Sequence, residues 1–322
     1  MINIIGGAGF VGTRLAQVLS SQGEPFQIFD KVLDGEGYCD VTEIDSLSAL
    51  PAADVVINLA AEHRDDVIPR SLYDDVNIKG ARQVCDYCRR SNTRQIIFTS
   101  SVAVYGFAPK GTDEQGAFNP FNDYGRTKME AEAVYREWLA EDPEQRSLVI
   151  VRPTVIFGEQ NRGNVYNLLR QIASGRFIMF GSGTNLKSMA YVQNIAEFLA
   201  FCTQFGVGEH LYNYVDKPDF SMNALVARCR SVLWGKTGVG LRLPRWLGIV
   251  AGYGFDGLAV MTGKKLPISS IRVKKFMETT SFNTSVSRTG FTPSSSLEQG
   301  IERTLRHEFI EHHEAEKVFF SE

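Results

Sequence analysis

Residues 2–12 run Ile2-Asn3-Ile4-Ile5-Gly6-Gly7-Ala8-Gly9-Phe10-Val11-Gly12, a short and mostly apolar strand followed by glycines at positions 6, 7, 9 and 12. The run satisfies both G-x-G-x-x-G and G-x-x-G-x-x-G, and a helical pattern follows from Val11 to Gln22, closed by Gly23. Strand, glycine turn and helix in that order is the context a dinucleotide loop needs. Glycine keeps the turn tight and lets the backbone approach a pyrophosphate, whose charge the helix N-terminus stabilises. Gly6, Gly9, Phe10, Val11 and Gly12 are therefore expected cofactor contacts. The second strand, Phe26-Gln27-Ile28-Phe29, ends at Asp30, 18 residues after Gly12. A carboxylate there accepts from ribose hydroxyls and repels a 2′-phosphate, which favours NAD over NADP. Lys31 follows it, and Asp40-Val41 is the expected adenine side.

Further apolar runs recur downstream: Val55-Val56-Ile57, Gln95-Ile96-Ile97-Phe98 and Leu148-Val149-Ile150-Val151, with helical stretches such as Lys79 to Arg90 between them. Short apolar strands spaced by helices indicate βαβ units and a parallel sheet covered on both faces. The expected fold is α/β, a Rossmann-type doubly wound parallel sheet with a smaller C-terminal α/β substrate lobe. Residues 1–157 are expected to form the NAD-binding unit, completed by about 188–205. Residues 158–187 and 206–322 then form the lobe, and 312–317 read as a solvated helix end.

Composition narrows the function. The chain has 322 residues, 43% hydrophobic and 22% charged, and 34 basic against 37 acidic residues give a net charge of −3. That balance lacks the basic excess of a nucleic-acid binder. Five cysteines at irregular spacing suit a reducing cytoplasm. The opening residues lack a signal-peptide pattern, and no apolar run is long enough to span a bilayer. Cys85-Asp86-Tyr87-Cys88 has no companion ligand pair and falls mid-helix, so no metal is expected.

Ligands of such sheets sit beyond the carboxyl ends of the strands. Ser101 lies just past one, after Thr99, where its hydroxyl can hold a substrate oxygen. Tyr124-Gly125-Arg126-Thr127-Lys128 places a phenol and an ammonium four residues apart, on one helical face. An adjacent ammonium lowers a phenol's pKa, which would make Tyr124 a base near neutrality. Ser101, Tyr124 and Lys128 are the expected catalytic set.

With these motifs the chain resembles the extended short-chain dehydrogenase/reductase family, the nucleotide-sugar epimerases and dehydratases, nearly end to end. Leu59-Ala60-Ala61 resembles that family's cofactor-contacting strand end, Asn77 its cofactor-side asparagine, and Arg152-Pro153-Thr154 its nicotinamide-side strand. Gly290-Phe291-Thr292-Pro293 is similar to its closing turn. The resemblance thus implies Leu59, Ala60, Ala61, Asn77, Thr99 and Pro153 as further cofactor contacts. Ser101 and Val102 are expected on the substrate side. Lys187 and Arg272 are candidates for the substrate phosphates because they flank the expected sugar pocket, and Asn164, in the inter-lobe loop, for the sugar. Where the dehydratases carry Asp-Glu after the serine or threonine, this chain has Val102-Ala103, which can do no proton chemistry. Dehydration is excluded on that ground; epimerisation and 4-keto reduction remain.

Longer strings, Ala60 to Val67, Phe157-Gly158-Glu159-Gln160-Asn161-Arg162 onward to Leu169, and Tyr212 to Asp219, resemble a subgroup. It is the undecaprenyl-diphospho-N-acetylglucosamine 4-epimerases of bacterial O-antigen assembly. That resemblance implies C4 epimerisation of N-acetylglucosamine to N-acetylgalactosamine on a polyprenyl diphosphate, through a 4-keto sugar. It places the protein in the cytoplasm, peripheral on the inner face of the membrane. The alternatives are a soluble UDP-N-acetylglucosamine 4-epimerase and an NAD(P)H-dependent 4-ketosugar reductase. A dinucleotide-sensing protein is disfavoured because all three catalytic residues are present. Trp246 to Thr262, flanked by Arg242, Arg245, Lys264 and Lys265, reads either as a membrane-facing stretch or as a hydrophobic helix covering the substrate lobe. A homodimer is the expected assembly.

Overall fold

The computed structural model describes residues 1–64, 67–250, 253, 277–313 and 316–320. The chain begins β1 (Ile2–Ile5), α1 (Phe10–Gln22), β2 (Phe26–Phe29), α2 (Ile44–Ser48) and β3 (Val55–Asn58). Helix α3 (Ser71–Tyr73) then passes through a π turn at Asp74–Lys79 into α4 (Gly80–Arg90). Next come β4 (Gln95–Thr99), a 3-10 turn at Val102–Tyr105, α5 (Asp123–Ala140), β5 (Ser147–Pro153) and β6 (Val155–Phe157). Helix α6 (Asn164–Ala173), β7 (Met179–Phe180), β8 (Leu186–Tyr191) and α7 (Val192–Cys202) follow. The described elements end with β9 (Gly208–Tyr214), β10 (Asp216–Ser221), α8 (Met222–Trp234), β11 (Arg242–Leu243) and α9 (Leu297–Phe309).

Six parallel strands form the main sheet in the order β2-β1-β3-β4-β5-β9. Val56, Ile57, Ile96, Ile97 and Leu148 to Val151 are fully buried, as strands covered on both faces require. Val84, Tyr135 and Trp138 of α4 and α5 cover one face. Leu15, Leu19, Ile195 and Phe198 of α1 and α7 cover the other. From β1 the order runs outward to β2 on one side and to β3 on the other. The crevice between these directions is the switch point at which such sheets bind ligands. A three-stranded sheet, β10-β8-β6, packs with α6, α8 and α9 into a separate core.

The division of the chain differs from the sequence reading in two places. Residues 208–214, read as part of the lobe, form the sixth strand of the main sheet, in register with β5 from Ser147–Gly208 to Pro153–Tyr214. As an edge strand, β9 does not show the continuous apolar run that marks a central one. Met189 to Tyr191, read as a return to the first unit, belong to β8 in the small sheet. Only α7 returns to the main sheet, against α1. The last helix stops at Phe309, and Glu316 to Phe320 fold back against residues 160–162 rather than extending a helix into solvent.

Candidate active site

The glycine loop has the shape that its glycines dictate. Gly6 adopts φ +79°, and a Cβ there would lie 2.6 Å from the Ala60 nitrogen. A Cβ on Gly12 would lie 2.5 Å from the Gly7 carbonyl oxygen, so α1 seats directly on the turn. Gly9 differs: a Cβ there would meet only the Gly6 oxygen, at 3.2 Å, so the rest of its surroundings are open. Gly9 is also the N-cap of α1, and no side chain caps that terminus. The positive end of a 13-residue helix therefore faces the open side of the loop. Asp30 stands beside it, accepting from Ala8 N at 3.1 Å and from Val32 N at 3.2 Å. Phe10 and Val11 open α1, and Leu59, Ala60 and Ala61 line the end of β3 beside Gly6. Val41 packs on Gly80. Asp40 turns its carboxylate to the Thr42 amide and hydroxyl, both at 2.8 Å, and Lys31 is exposed.

The proposed catalytic side chains meet at the carboxyl end of β4. Ser101 caps the 3-10 turn, its Oγ accepting from Ala103 N at 3.1 Å. Helix α5 begins at Asn122, whose side chain accepts from Gly125 N at 2.9 Å. Gly125 has a steric reason: a Cβ there would lie 2.5 Å from the Ala103 oxygen. Glycine lets α5 come close to the 3-10 turn, which brings Tyr124 beside Ser101. Burial pushes the Tyr124 phenol above its ordinary value, and the Ser101 bond opposes that. The expected lowering by Lys128 is not seen, because the Lys128 ammonium donates to the Thr99 carbonyl at 2.8 Å. Burial brings Lys128 itself down to about 7, with the Glu132 charge pulling the other way.

This has a consequence for stability. Between about 7 and 10.5 the unfolded chain holds a proton that folded Lys128 has lost, so stability rises with pH across that window. Lys187, brought down to about 8 by burial, acts in the same direction over the upper part. Lys128→Met is expected to melt with a smaller pH-dependent rise than the parent when nucleotide-stripped protein is compared at about pH 6.5 and about pH 9. An unchanged rise would show that Lys128 is not the titrating group.

Side chains that spacing did not reveal hold this end of the site. Asn77 donates to the Glu62 carbonyl at 3.0 Å and to Thr127 Oγ1 at 2.9 Å, and accepts from Glu62 N at 2.9 Å. It thereby ties the loop after β3 to the turn of α5 that carries Lys128. Glu132 and Arg152, both fully buried, form a bidentate pair at 2.6 and 2.8 Å. Arg152 also donates to the Tyr105 hydroxyl at 2.6 Å, and Ser100 donates to Glu132 at 2.6 Å. These pairs join residues 20 to 47 positions apart, which no local pattern signals. The apolar run Leu148 to Val151 marks that strand and the Arg152-Pro153 string its site end; Pro153 is buried there.

Other expected positions are less concentrated. Val102 is part of the 3-10 turn, and Asn164 is exposed at the start of α6. Lys187 donates to the Glu278 carbonyl at 2.7 Å, and Arg272 lies outside the described residues. Cys85 and Cys88 sit in the core under α4, where burial pushes both thiols up. A cavity of about 690 Å³ beside β9, lined by Glu114, Asp216, Lys217 and Arg288 among others, contains none of the expected site residues.

The residues present fit a dinucleotide. The Thr99 hydroxyl is buried beside Lys128 and has no hydrogen-bond partner among the described residues. Together with the open surroundings of Gly9 and the carboxylate of Asp30, it marks unused polar capacity along the crevice between loop and catalytic set.

Comparisons with known proteins agree with this geometry. Residues 2–214 match the NAD dependent epimerase/dehydratase family. The chain is 49% identical to N-acetyl-alpha-D-glucosaminyl-diphospho-ditrans,octacis-undecaprenol 4-epimerase of Escherichia coli O157:H7, over 99% of this chain and 98% of that protein. It is 30% identical to UDP-glucose 4-epimerase of Vibrio cholerae over 62% of this chain and 66% of that one. Among solved structures, UDP-N-acetylglucosamine 4-epimerase from Bacillus cereus superposes with a TM-score of 0.72 at 14% identity, covering 94% of this chain and 97% of that one. MoeE5 in complex with UDP-glucuronic acid and NAD superposes with a TM-score of 0.70 at 19% identity, covering 95% and 98%. The structural likenesses establish the Rossmann-type fold.

Proposed function

Because the chain belongs to the NAD-dependent epimerase/dehydratase family, we propose that it inverts C4 of an N-acetylhexosamine carried on a polyprenyl diphosphate. The observation that carries this reading is that Ser101, Tyr124 and Lys128 come together at the end of β4, in a chain about half identical to an enzyme of that name. Ser101 holds the C4 oxygen, and Tyr124 takes its proton as the alcohol becomes a ketone. When bound, NAD supplies the hydride acceptor and a positive charge beside the phenol. Lys128, within reach of Thr99, holds the nicotinamide end, and the Gly6–Gly12 loop and Asp30 hold the rest. The 4-keto sugar would then present its other face, C4 would take back the same hydride there, and Tyr124 would return the proton to the C4 oxygen. Val102 and Ala103 offer no acid or base, so elimination of water has no catalyst at that position.

We also propose that the loop and main sheet form the cofactor unit and that the small sheet with α6, α8 and α9 covers the sugar. Asn164 and Lys187 are candidates there, and Arg272 stays a candidate by its place in the sequence. A polyprenyl carrier cannot leave its bilayer, so the reading implies contact with the cytoplasmic face of a membrane. No helix among the described residues is long and apolar enough to cross one. Residues 245–250 are helical, and Trp246 and Val250, four apart on one face of that helix, are 63% and 60% exposed. That apolar face supports a membrane contact better than the basic flank does. Arg242 is bonded to Asn223 at 2.8 Å and Arg245 to Glu278 at 3.1 Å. Lys264, Lys265 and most of the stretch to Thr262 lie outside the described residues.

Two measurements test the chemistry. An epimerase regenerates its cofactor each cycle, so product should form without net consumption of added NADH; one NADH oxidised per product would make the protein a reductase. NAD should also bind more tightly than NADP. Asp30→Ala should shrink that preference by removing the carboxylate that repels a 2′-phosphate. Equal affinity of the unsubstituted protein for both, by titration, would remove Asp30 from this role.

A further inference from the structure

The string Glu159-Gln160-Asn161-Arg162 has no part in the chemistry above, yet it is built with care. Gln160 holds φ +70°, a left-handed backbone that non-glycine residues rarely adopt. Glu308 accepts from its amide at 2.6 Å, and Arg14 of α1 donates to its side-chain oxygen at 2.9 Å. Held in this way, residues 160–162 pair with the C-terminal tail. Phe319 N donates to the Gln160 carbonyl at 2.8 Å, Arg162 N donates to the Phe319 carbonyl at 2.7 Å, and Gln160 Nε2 donates to Glu316 at 2.7 Å.

The tail seated there lies on the glycine loop. The Phe319 ring is 5.7 Å from that of Phe10, the first residue of α1. Lys317 Nζ donates to the Ala8 carbonyl at 2.9 Å and stands 5.1 Å from the Phe319 ring. Lys317 forms no ion pair among the described residues. An ammonium offers three donors, and this one is placed over a loop whose glycines and helix N-terminus are arranged for an anion.

We propose that Lys317 is a binding residue for the diphosphate of the dinucleotide, brought to the loop by a tail that residues 160–162 seat. Retention fits a cycle in which the cofactor leaves as it entered: a bound nucleotide need not exchange between turnovers, and a cation closing the loop slows its escape. The proposal rests on the dinucleotide reading of the loop and adds to it a residue more than 300 positions away in the chain.

The test is NADH release from the full-length protein, followed by nicotinamide fluorescence on mixing with excess NAD. Lys317→Gln should release NADH about tenfold faster, the effect of one lost charge-assisted contact, while its affinity for adenosine, which has no phosphate, stays unchanged. Lys317→Arg should restore slow release, and Phe319→Ala should speed it by unseating the tail. Release of NADH from Lys317→Gln at the parent rate would overturn the proposal. So would an equal loss of affinity for NADH and adenosine, which would make Lys317 a structural contact only. If the parent itself binds neither NADH nor adenosine, the dinucleotide reading falls and takes this proposal with it.

Discussion

Tyr124→Phe is expected to lower turnover at least about a hundredfold while NAD stays bound, since a general acid–base group contributes that much or more. Phenylalanine keeps the ring and its packing and removes only the hydroxyl that meets Ser101. Burial raises the phenol's pKa, so the residue is not a ready base by itself. Lys128 does not supply the correction, because its ammonium is turned to the Thr99 carbonyl and its own pKa is already down to about 7. NAD, when bound, would add a positive charge beside the phenol and push its pKa back down. Single-turnover kinetics on the variant, with bound nucleotide quantified separately, check the expectation. Near-normal epimerisation by Tyr124→Phe would assign the proton to another group.

Arg152→Met should cost about 3–5 kcal/mol of stability, because it strands a fully buried carboxylate. Glu132 would lose both contacts from Arg152 and keep the Ser100 hydroxyl at 2.6 Å and the partly exposed Arg136 guanidinium at 3.2 Å. In a chain of this size such a loss corresponds to a fall in melting temperature on the order of 5–10 °C. Activity should fall with it, since Arg152 also anchors the Tyr105 hydroxyl at the end of the turn that begins with Ser101. Pairing the change with Glu132→Leu should recover much of the stability, because an apolar pair of similar volume avoids the buried charge. A single variant that melts with the parent would show that the pair is not needed for the fold.

What was legible in the sequence shares one property: it is local. The glycine loop, Asp30 at its strand end and the Tyr124–Lys128 spacing each lie within one element or one turn, where periodicity and chemistry coincide. The four inner strands, β1, β3, β4 and β5, announced themselves as apolar runs because both of their faces are buried. The edge strand β9 did not, because its exposed side allows Glu209 and His210. Asn77 was recognised by its motif, but its actual work, tying Glu62 to Thr127, needs three segments brought together by the fold. The same holds for Glu132 with Arg152, and for Lys317 reaching Ala8 across nearly the whole chain. Gly125 could have been found, since a glycine between the two catalytic side chains of a helix costs stability and calls for a steric reason.

The most direct test of the central claim is a parallel assay of the purified protein, without added nicotinamide, on undecaprenyl-diphospho-N-acetylglucosamine and on UDP-N-acetylglucosamine, scoring the C4 configuration of the sugar. Conversion of the lipid-linked sugar to its N-acetylgalactosamine epimer, with the UDP-sugar turned over far more slowly or not at all, is the predicted result. Rapid epimerisation of the UDP-sugar while the lipid-linked sugar stays unchanged would contradict it.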